Sequence, residues 1–332
     1  MKRNEAIPFE RVTFTAMNSE FLLLGEKRPE VGSALPWQRE IRLWFAYVEK
    51  HCSRFLPDSE VSRLNAAPKG TPVLLTETCY RLLTEAWNYA IKTNFLFHPL
   101  VGRRLEEIGY DRSFDEMREF NASDSVVGST EDPSSIRPSF SIGPSSLTFI
   151  PHMKAVIRRT DEKVDLGGIG KGWSVDRAAE WMMERGITAG LVDGGGDIRL
   201  WHKPGYRWRI GVEDPLDPDR ERMLLFMEKG AVATSSKGYR CWKHEGKTVH
   251  HLLNGRTGCP ANTGVLQATV IGETAAEAEV LAKVLCLFDP DEAKRWAEKN
   301  FPHLAYILFD QENRMIISNN LEKYAKKAVI WK

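Results

Sequence analysis

Cysteine is scarce in this sequence. There are five among 332 residues (Cys52, Cys79, Cys241, Cys259 and Cys286), an odd number, scattered, with no CxxC pair. That argues against a disulfide framework and a cysteine-based metal or redox motif, so the thiols are expected to be reduced and mostly structural. A surplus of charge is missing too. The 46 basic and 45 acidic residues leave a net charge of +1, which offers no general attraction to nucleic acid or to an anionic membrane. No apolar run approaches the roughly 20 residues that span a bilayer, so no membrane insertion is expected. The opening MKRNEAIPFERVTF carries basic residues but no apolar segment or small-residue cleavage site of a secretion signal; the expected location is cytoplasmic. No repeat of fixed short period is found. At 42% hydrophobic and 27% charged residues, the chain can bury a core and is not disordered overall.

Both common phosphate loops are absent as well. The densest motif is VDLGGIGKGWSVDRAAEWM, Val164 to Met182. It is not GxxxxGK[ST], because Gly172 and Trp173 follow Lys171, and GGIGKG does not fit GxGxxG. Gly167, Gly168, Gly170 and Gly172 nevertheless surround one lysine and feed a helix, in which Val175, Ala178, Ala179 and Met182 recur at helical spacing. A helix N-terminus offers unpaired amides and partial positive charge. Glycine lets those amides approach a ligand, and Lys171 adds a full charge. The pattern suits a phosphate or diphosphate; a plain strand-to-helix turn is the competing reading.

The remaining chain reads as α+β, or mixed α/β, with hairpins breaking any βαβ rhythm. Strands are expected over Val12–Leu24, Ser146–Arg158, Trp208–Val212, Leu224–Thr234, Leu266–Ile271 and Ala305–Phe309. Helices are expected over Pro36–Phe55, Thr76–Asn94 and from Thr274 onward. Residues 111–145 form a polar surface excursion. In GITAGLVDGGGDIRLW, Gly194 to Gly196 allow positive φ or close approach between two strands. Asp58, Ser59 and Glu60 read either as a helix cap with an acidic first turn or as a polar knuckle at a site. His98, before Pro99 in an apolar setting, reads as structural. Glu279 and Lys283 read as an i,i+4 pair.

Several segments in the same order resemble one family. They are Asp58–Asn65 (DSEVSRLN), Leu166–Asp176, Gly195–Arg199, Trp208–Pro215, Ala233–Ser235, His251–Gly258 and Ala278–Lys283. On these the chain resembles the ApbE family of FAD:protein FMN transferases, from about Phe14 to Leu287. The resemblance implies a single domain over 1–332, with antiparallel-rich sheets, packed helices and a flavin-nucleotide cleft between them. It implies FAD as the bound nucleotide, a divalent metal such as Mg2+ near its diphosphate, and transfer of FMN to a Thr or Ser hydroxyl of an acceptor protein with release of AMP. Lys171 and His251 are then the catalytic candidates. Met17, Ser59, Glu60, Gly168, Gly170, Lys171, Asp176, Thr234, Ser235, His251, Arg256 and Thr257 are the candidate flavin-nucleotide contacts, with Tyr239 a further wall residue.

The resemblance also implies a metal held by the Gly170 carbonyl and by an Asp and a Thr four apart on the late helix. Here those two positions are Glu279 and Lys283. Glutamate still suits a hard cation, whereas a protonated lysine does not ligate, and its ammonium is expected in the metal's place. Met17-Asn18-Ser19 stands for Met-Gly-Thr, Asn254-Gly255 for Asp-Pro, and His98 for an acid, with Leu100 where a Thr is usual. Less negative charge implies weaker metal affinity. Two other readings follow: a non-catalytic FAD-binding protein with a degenerate metal site, and an FAD pyrophosphatase that yields FMN and AMP.

Overall fold

The structure, a computed structural model, describes residues 9–27, 37–114, 116–117, 142–202 and 205–331, without the side chains of 327 and 328. Most of the polar stretch 111–145 therefore lies outside the described residues.

In chain order the elements are β1 (Phe9–Ala16), β2 (Ser19–Glu26), α1 (Trp37–Cys52), α2 (Glu60–Ala66), β3 (Pro72–Leu74), α3 (Glu77–Lys92), α4 (Gly102–Glu107), β4 (Leu147–Ile150) and β5 (Ala155–Arg158). Then come α5 (Gly170–Glu184), β6 (Gly190–Gly194), β7 (Ile198–Trp201), β8 (Trp208–Asp214), β9 (Asp217–Met227), β10 (Gly230–Ser236), β11 (Cys241–His244) and β12 (Lys247–His250). The last are β13 (Val265–Gly272), α6 (Ala275–Leu285), α7 (Pro290–Asn300), β14 (Ala305–Asp310), β15 (Met315–Ile317) and β16 (Ala325–Ile330).

One antiparallel sheet of eight strands, ordered β1-β2-β6-β7-β10-β13-β14-β15, forms the middle layer. Successive side chains of a strand point to opposite faces. Leu191, Leu200, Val232, Ile271 and Ile307 face one way, onto a small sheet ordered β16-β9-β8 through Ile210, Val212, Met223 and Leu225. Val192 and Ala231 face the other way, where Ala178, Ala179 and Met182 of α5 and Ala275 of α6 cover them. A larger apolar cluster joins α3, α6 and the loop before α5. The fold is thus α+β, with the helices that carry the glycine motif laid on one face of an antiparallel sheet. Among the described residues no helix is long and apolar enough to cross a membrane.

Several expected elements divide. Val12–Leu24 is a hairpin, because Met17 and Asn18 both take positive φ (48° and 57°) in a two-residue turn that suits the strand twist. Neither turn residue is a glycine, and Asn18-Ser19-Glu20 is only a short polar break in a strand-like run. Ser146–Arg158 is the hairpin β4–β5, turned through Lys154 at φ 50°. Leu224–Thr234 spans parts of β9 and β10, separated near Gly230 at φ 129°. The last part of the chain holds α7, β15 and β16 beyond the single strand expected there. Helix α7 buries only Ala293 and Ala297, too small a stripe to stand out, although Pro290 at its start and Asp291 and Glu292 in its first turn are ordinary start signals.

Candidate functional site

Two separate sequence motifs meet to hold the glycine loop. The Asn65 side chain donates to the Val164 carbonyl (2.9 Å) and accepts from the Val164 amide (2.7 Å). Asp165 accepts from the Gly167 amide (2.8 Å) and from Arg54 Nε (2.5 Å). Arg54 is itself tied to the Tyr110 carbonyl (2.6 Å) and lies over the Phe55 ring. Ser59 caps α2 by accepting from the Ser62 amide (3.0 Å). Glu60 accepts from the Thr76 amide (2.7 Å) and pairs with His51 (2.6 Å). The cap reading of Asp58–Glu60 therefore describes what Ser59 and Glu60 do; both are buried, bonded within α2, to His51 and to the start of α3, and neither lines the cavity.

The motif glycines differ in what they allow. A Cβ on Gly172 would sit 2.5 Å from the Ala275 carbonyl, so this glycine sets the close packing of α5 on α6. One on Gly168 would meet the Phe97 ring at 2.8 Å and the Lys283 stem at 3.7 Å. Gly170 has open space around its missing Cβ. Asp176 accepts from the amides of Ala275 and Ala276 (2.8 and 2.9 Å), putting a carboxylate at the N-terminus of α6. Burial pushes its pKa up to about 6 against the pull of those two amides. Asp176 thus joins the two helices and does not reach the cavity.

Four charged side chains meet between α5, α6 and the start of β7. Lys171 pairs with Asp197 and lies 3.7 Å from Glu279 Oε1. Lys283 Nζ is 3.1 Å from the same oxygen. Glu279 Oε2 accepts from the Gly172 amide (2.8 Å). The carboxylates of Asp197 and Glu279 are sealed, at 3% and 1% exposure, while Lys171 and Lys283 keep 14% and 17%. Of the four, Lys171 and Lys283 line the open space, and Asp197 and Glu279 do not. Burial opposes the charge on Lys171, but Asp197 and Glu279 outweigh it and its pKa is raised. Burial, then the neighbouring Glu279, pushes Asp197 up to about 6. Burial works against ionised Glu279, yet Lys283 and Lys171 hold its pKa down.

The open space is a cavity of about 340 Å³. Met17, Gly168, Gly170, Lys171, His251 and Lys283 line it together, although they come from a hairpin turn, the glycine loop, the segment after β12 and α6. His251 Nδ1 lies 3.3 Å from the Arg240 carbonyl. Burial, then the charges of Arg240 and Lys283, hold its pKa well below the usual imidazole range, so the ring is neutral at neutral pH. His98 is also on the wall, its Nδ1 accepting from the Leu100 amide (3.0 Å), and burial lowers it to about 3.

Other expected contacts lie elsewhere. Thr234 Oγ1 is 2.8 Å from Thr269 Oγ1, and the Ser235 carbonyl accepts from Cys286; neither residue lines the cavity. Arg256 is exposed, donating to the Asn94 carbonyl (2.7 Å), and Thr257 accepts from the Cys259 amide (3.3 Å). Tyr239 is 74% exposed. Conversely, Arg54, Phe97, Tyr110, Asp165 and Arg240 line the cavity without being among the expected contacts, as does Asn18 of the Met17-Asn18-Ser19 segment. Asp165 opens the glycine motif and Asn18 adjoins Met17, so these two have a local signal; the others arrive through chain crossings that no spacing encodes.

The residues present do not fit a divalent cation. Glu279 is engaged by an ammonium on one oxygen and an amide on the other, and the Gly170 carbonyl accepts from Ser174 Oγ (2.6 Å). Among the described residues no group of three or more His, Cys, Asp or Glu is arranged to hold a metal. Hard cations take several oxygen ligands, and this wall presents two ammoniums instead.

Fold and wall together define an α+β protein whose cavity is lined by a glycine loop, a helix start and paired lysines. A family model described as the ApbE family matches residues 13–308, and the chain belongs to that family. A protein of Vibrio cholerae serotype O1 named FAD:protein FMN transferase is 26% identical over 312 residues, 91% of this chain and 88% of that one. One of the same name from Treponema pallidum is 26% identical over 275 residues, covering 77% of this chain and 72% of that protein. Among solved structures, the ApbE protein of Thermotoga maritima superposes with a TM-score of 0.78 at 25% identity, over 96% of this chain and 100% of that one. The apo flavinyl transferase ApbE of Pseudomonas stutzeri reaches 0.79 at 19% identity, over 97% and 98%, and bears on the fold alone.

Proposed function

We propose that this chain is an FAD:protein FMN transferase, which moves the FMN half of FAD onto a threonine or serine hydroxyl of an acceptor protein and releases AMP. The observation that carries this reading is the shared wall of Gly168, Gly170, Lys171, Lys283 and His251. The hydroxyl oxygen attacks the FMN-side phosphorus, a new phosphoester bond forms, and the anhydride P–O bond breaks. AMP leaves with the electron pair, and the hydroxyl proton goes to a base. His251 suits that last task because it is neutral and buried beside Lys283 and Arg240. A dianionic diphosphate offsets those two cations, which raises the basicity of His251 once substrate is bound. Lys171, Lys283 and the head of α5 stabilise the charge that moves onto the departing phosphate. Met17 and Phe97 give an apolar wall for the isoalloxazine. Ser59, Glu60 and Asp176 act by positioning the loop and the two helices.

Incubation with FAD and an acceptor protein, followed by in-gel flavin fluorescence after denaturation and by chromatography of the nucleotides, tests the reading. Covalent flavin with stoichiometric AMP is the expected outcome. Free FMN with AMP points to a pyrophosphatase, and intact FAD to the binding protein that Lys283 favours. His251→Asn is expected to retain FAD and to lower turnover by about 10²–10⁴.

A further inference from the structure

We infer that Lys283 is a built-in counter-ion for the diphosphate of FAD, so that the nucleotide binds this chain without a divalent cation. The inference rests on the flavin reading and concerns how that same site meets the charge of its substrate. Lys171 from α5 and Lys283 from α6 converge on one oxygen, Oε1 of Glu279, at 3.7 and 3.1 Å. Asp197 stands behind Lys171. Two ammoniums and two carboxylates make the cluster neutral before any ligand arrives, and of the four residues only the lysines line the cavity.

This arrangement treats the two kinds of visitor oppositely. A divalent cation would enter beside two fixed positive charges, and like charges at such separations repel strongly where water is scarce. Glu279 cannot turn its outer oxygen toward a metal without releasing the amide of Gly172 or the ammonium of Lys283. A dianionic diphosphate meets cations already desolvated and already oriented, which is the condition under which electrostatic stabilisation is largest. The stem of Lys283 lies against Gly168, so the ammonium is delivered next to the glycine loop. That contact leaves little freedom to lose on binding.

The test is a titration of the protein with FAD, read by flavin fluorescence, in chelator and in millimolar MgCl2. Affinities that agree within about threefold are expected. Lys283→Met is expected to weaken FAD binding in chelator by about tenfold or more. Wild-type affinity that rises tenfold or more with Mg2+ overturns the inference while leaving the flavin reading intact. So does a folded Lys283→Met protein that binds FAD like wild type, with Lys283→Gln serving if the methionine variant does not fold. Absence of FAD binding under both conditions overturns the flavin reading together with the inference. The wild-type comparison needs no variant and stays decisive alone.

Discussion

Two regions of this molecule bury clusters of charge, and they use them differently. Beneath β5, Arg158 donates to the carbonyls of Asn65 (3.1 Å) and Ala67 (2.8 Å), at the C-terminal end of α2. Nearby, Arg104 pairs with Glu162 at 2.9 Å. The Arg158 guanidinium is spent on backbone that cannot move away, and a cation there complements the helix end. At the cavity, Lys171 and Lys283 share two sealed carboxylates and keep an open side. A cation fixed by carbonyls holds the chain together. A cation that shares a carboxylate next to empty space can exchange part of that pairing for a substrate anion.

The comparison can be broken from either side, beginning with the packing that creates the cavity region. Gly172→Val forces a side chain into the Ala275 carbonyl and is expected to destabilise by about 3 kcal/mol or more, measured as a lowered urea midpoint or as failure to fold. Arg104→Met leaves Glu162 buried without its cation. It is expected to cost about 3 kcal/mol of stability, with FAD affinity unchanged by titration. Lys171→Met is expected to lower turnover about 10²–10³-fold and also to cost stability, because it leaves buried Asp197 without its cation even though Glu279 keeps Lys283. If Arg104→Met weakens FAD binding as much as Lys171→Met does, the division between the two clusters fails.

A subtler effect is that of pH. The folded-state pKa of Asp176 is about 6, above its ordinary value of 3.8. Between those values the folded protein binds the proton more tightly than the unfolded chain does. The contribution of Asp176 to stability therefore decreases as pH rises through that window. Asp176→Asn is expected to flatten the slope of unfolding free energy against pH between about 4 and 6. The smallest expected change in stability is that of Gly170→Ala, within about 1 kcal/mol, because its Cβ meets nothing. That variant sharpens the contrast with Gly172, and calorimetry should report an altered FAD affinity with a nearly constant melting temperature.

Much of the architecture was readable from spacing. Helices α1 and α3 have strong apolar stripes, and both were expected close to where they lie. The hairpin β1–β2 was not, because Met17 and Asn18 are not the glycine-bearing pair that advertises such a turn, and Asn18-Ser19-Glu20 is only a short polar break in a strand-like run. The glycine motif was legible as a loop feeding a helix. Its division of labour was not: Gly172 answers to a carbonyl on α6, about a hundred residues later. The same applies to Asp176, whose partners are the first amides of α6, and to Arg54 and Arg240, which reach the cavity through contacts with Asp165, Tyr110 and His251.

By itself the sequence determined that a glycine–lysine loop opens a helix, that the chain is α+β, and which short motifs mark its family. Those follow from local periodicity and from residue types whose constraints act within a few positions. Only the tertiary structure decided that Lys171 and Lys283 meet over one carboxylate oxygen, that Glu279 is sealed behind them, and that Ser59, Glu60 and Asp176 lie off the cavity wall. Charge pairing and burial depend on distances through space, and the fold brings residues 171, 197, 279 and 283 together from three elements.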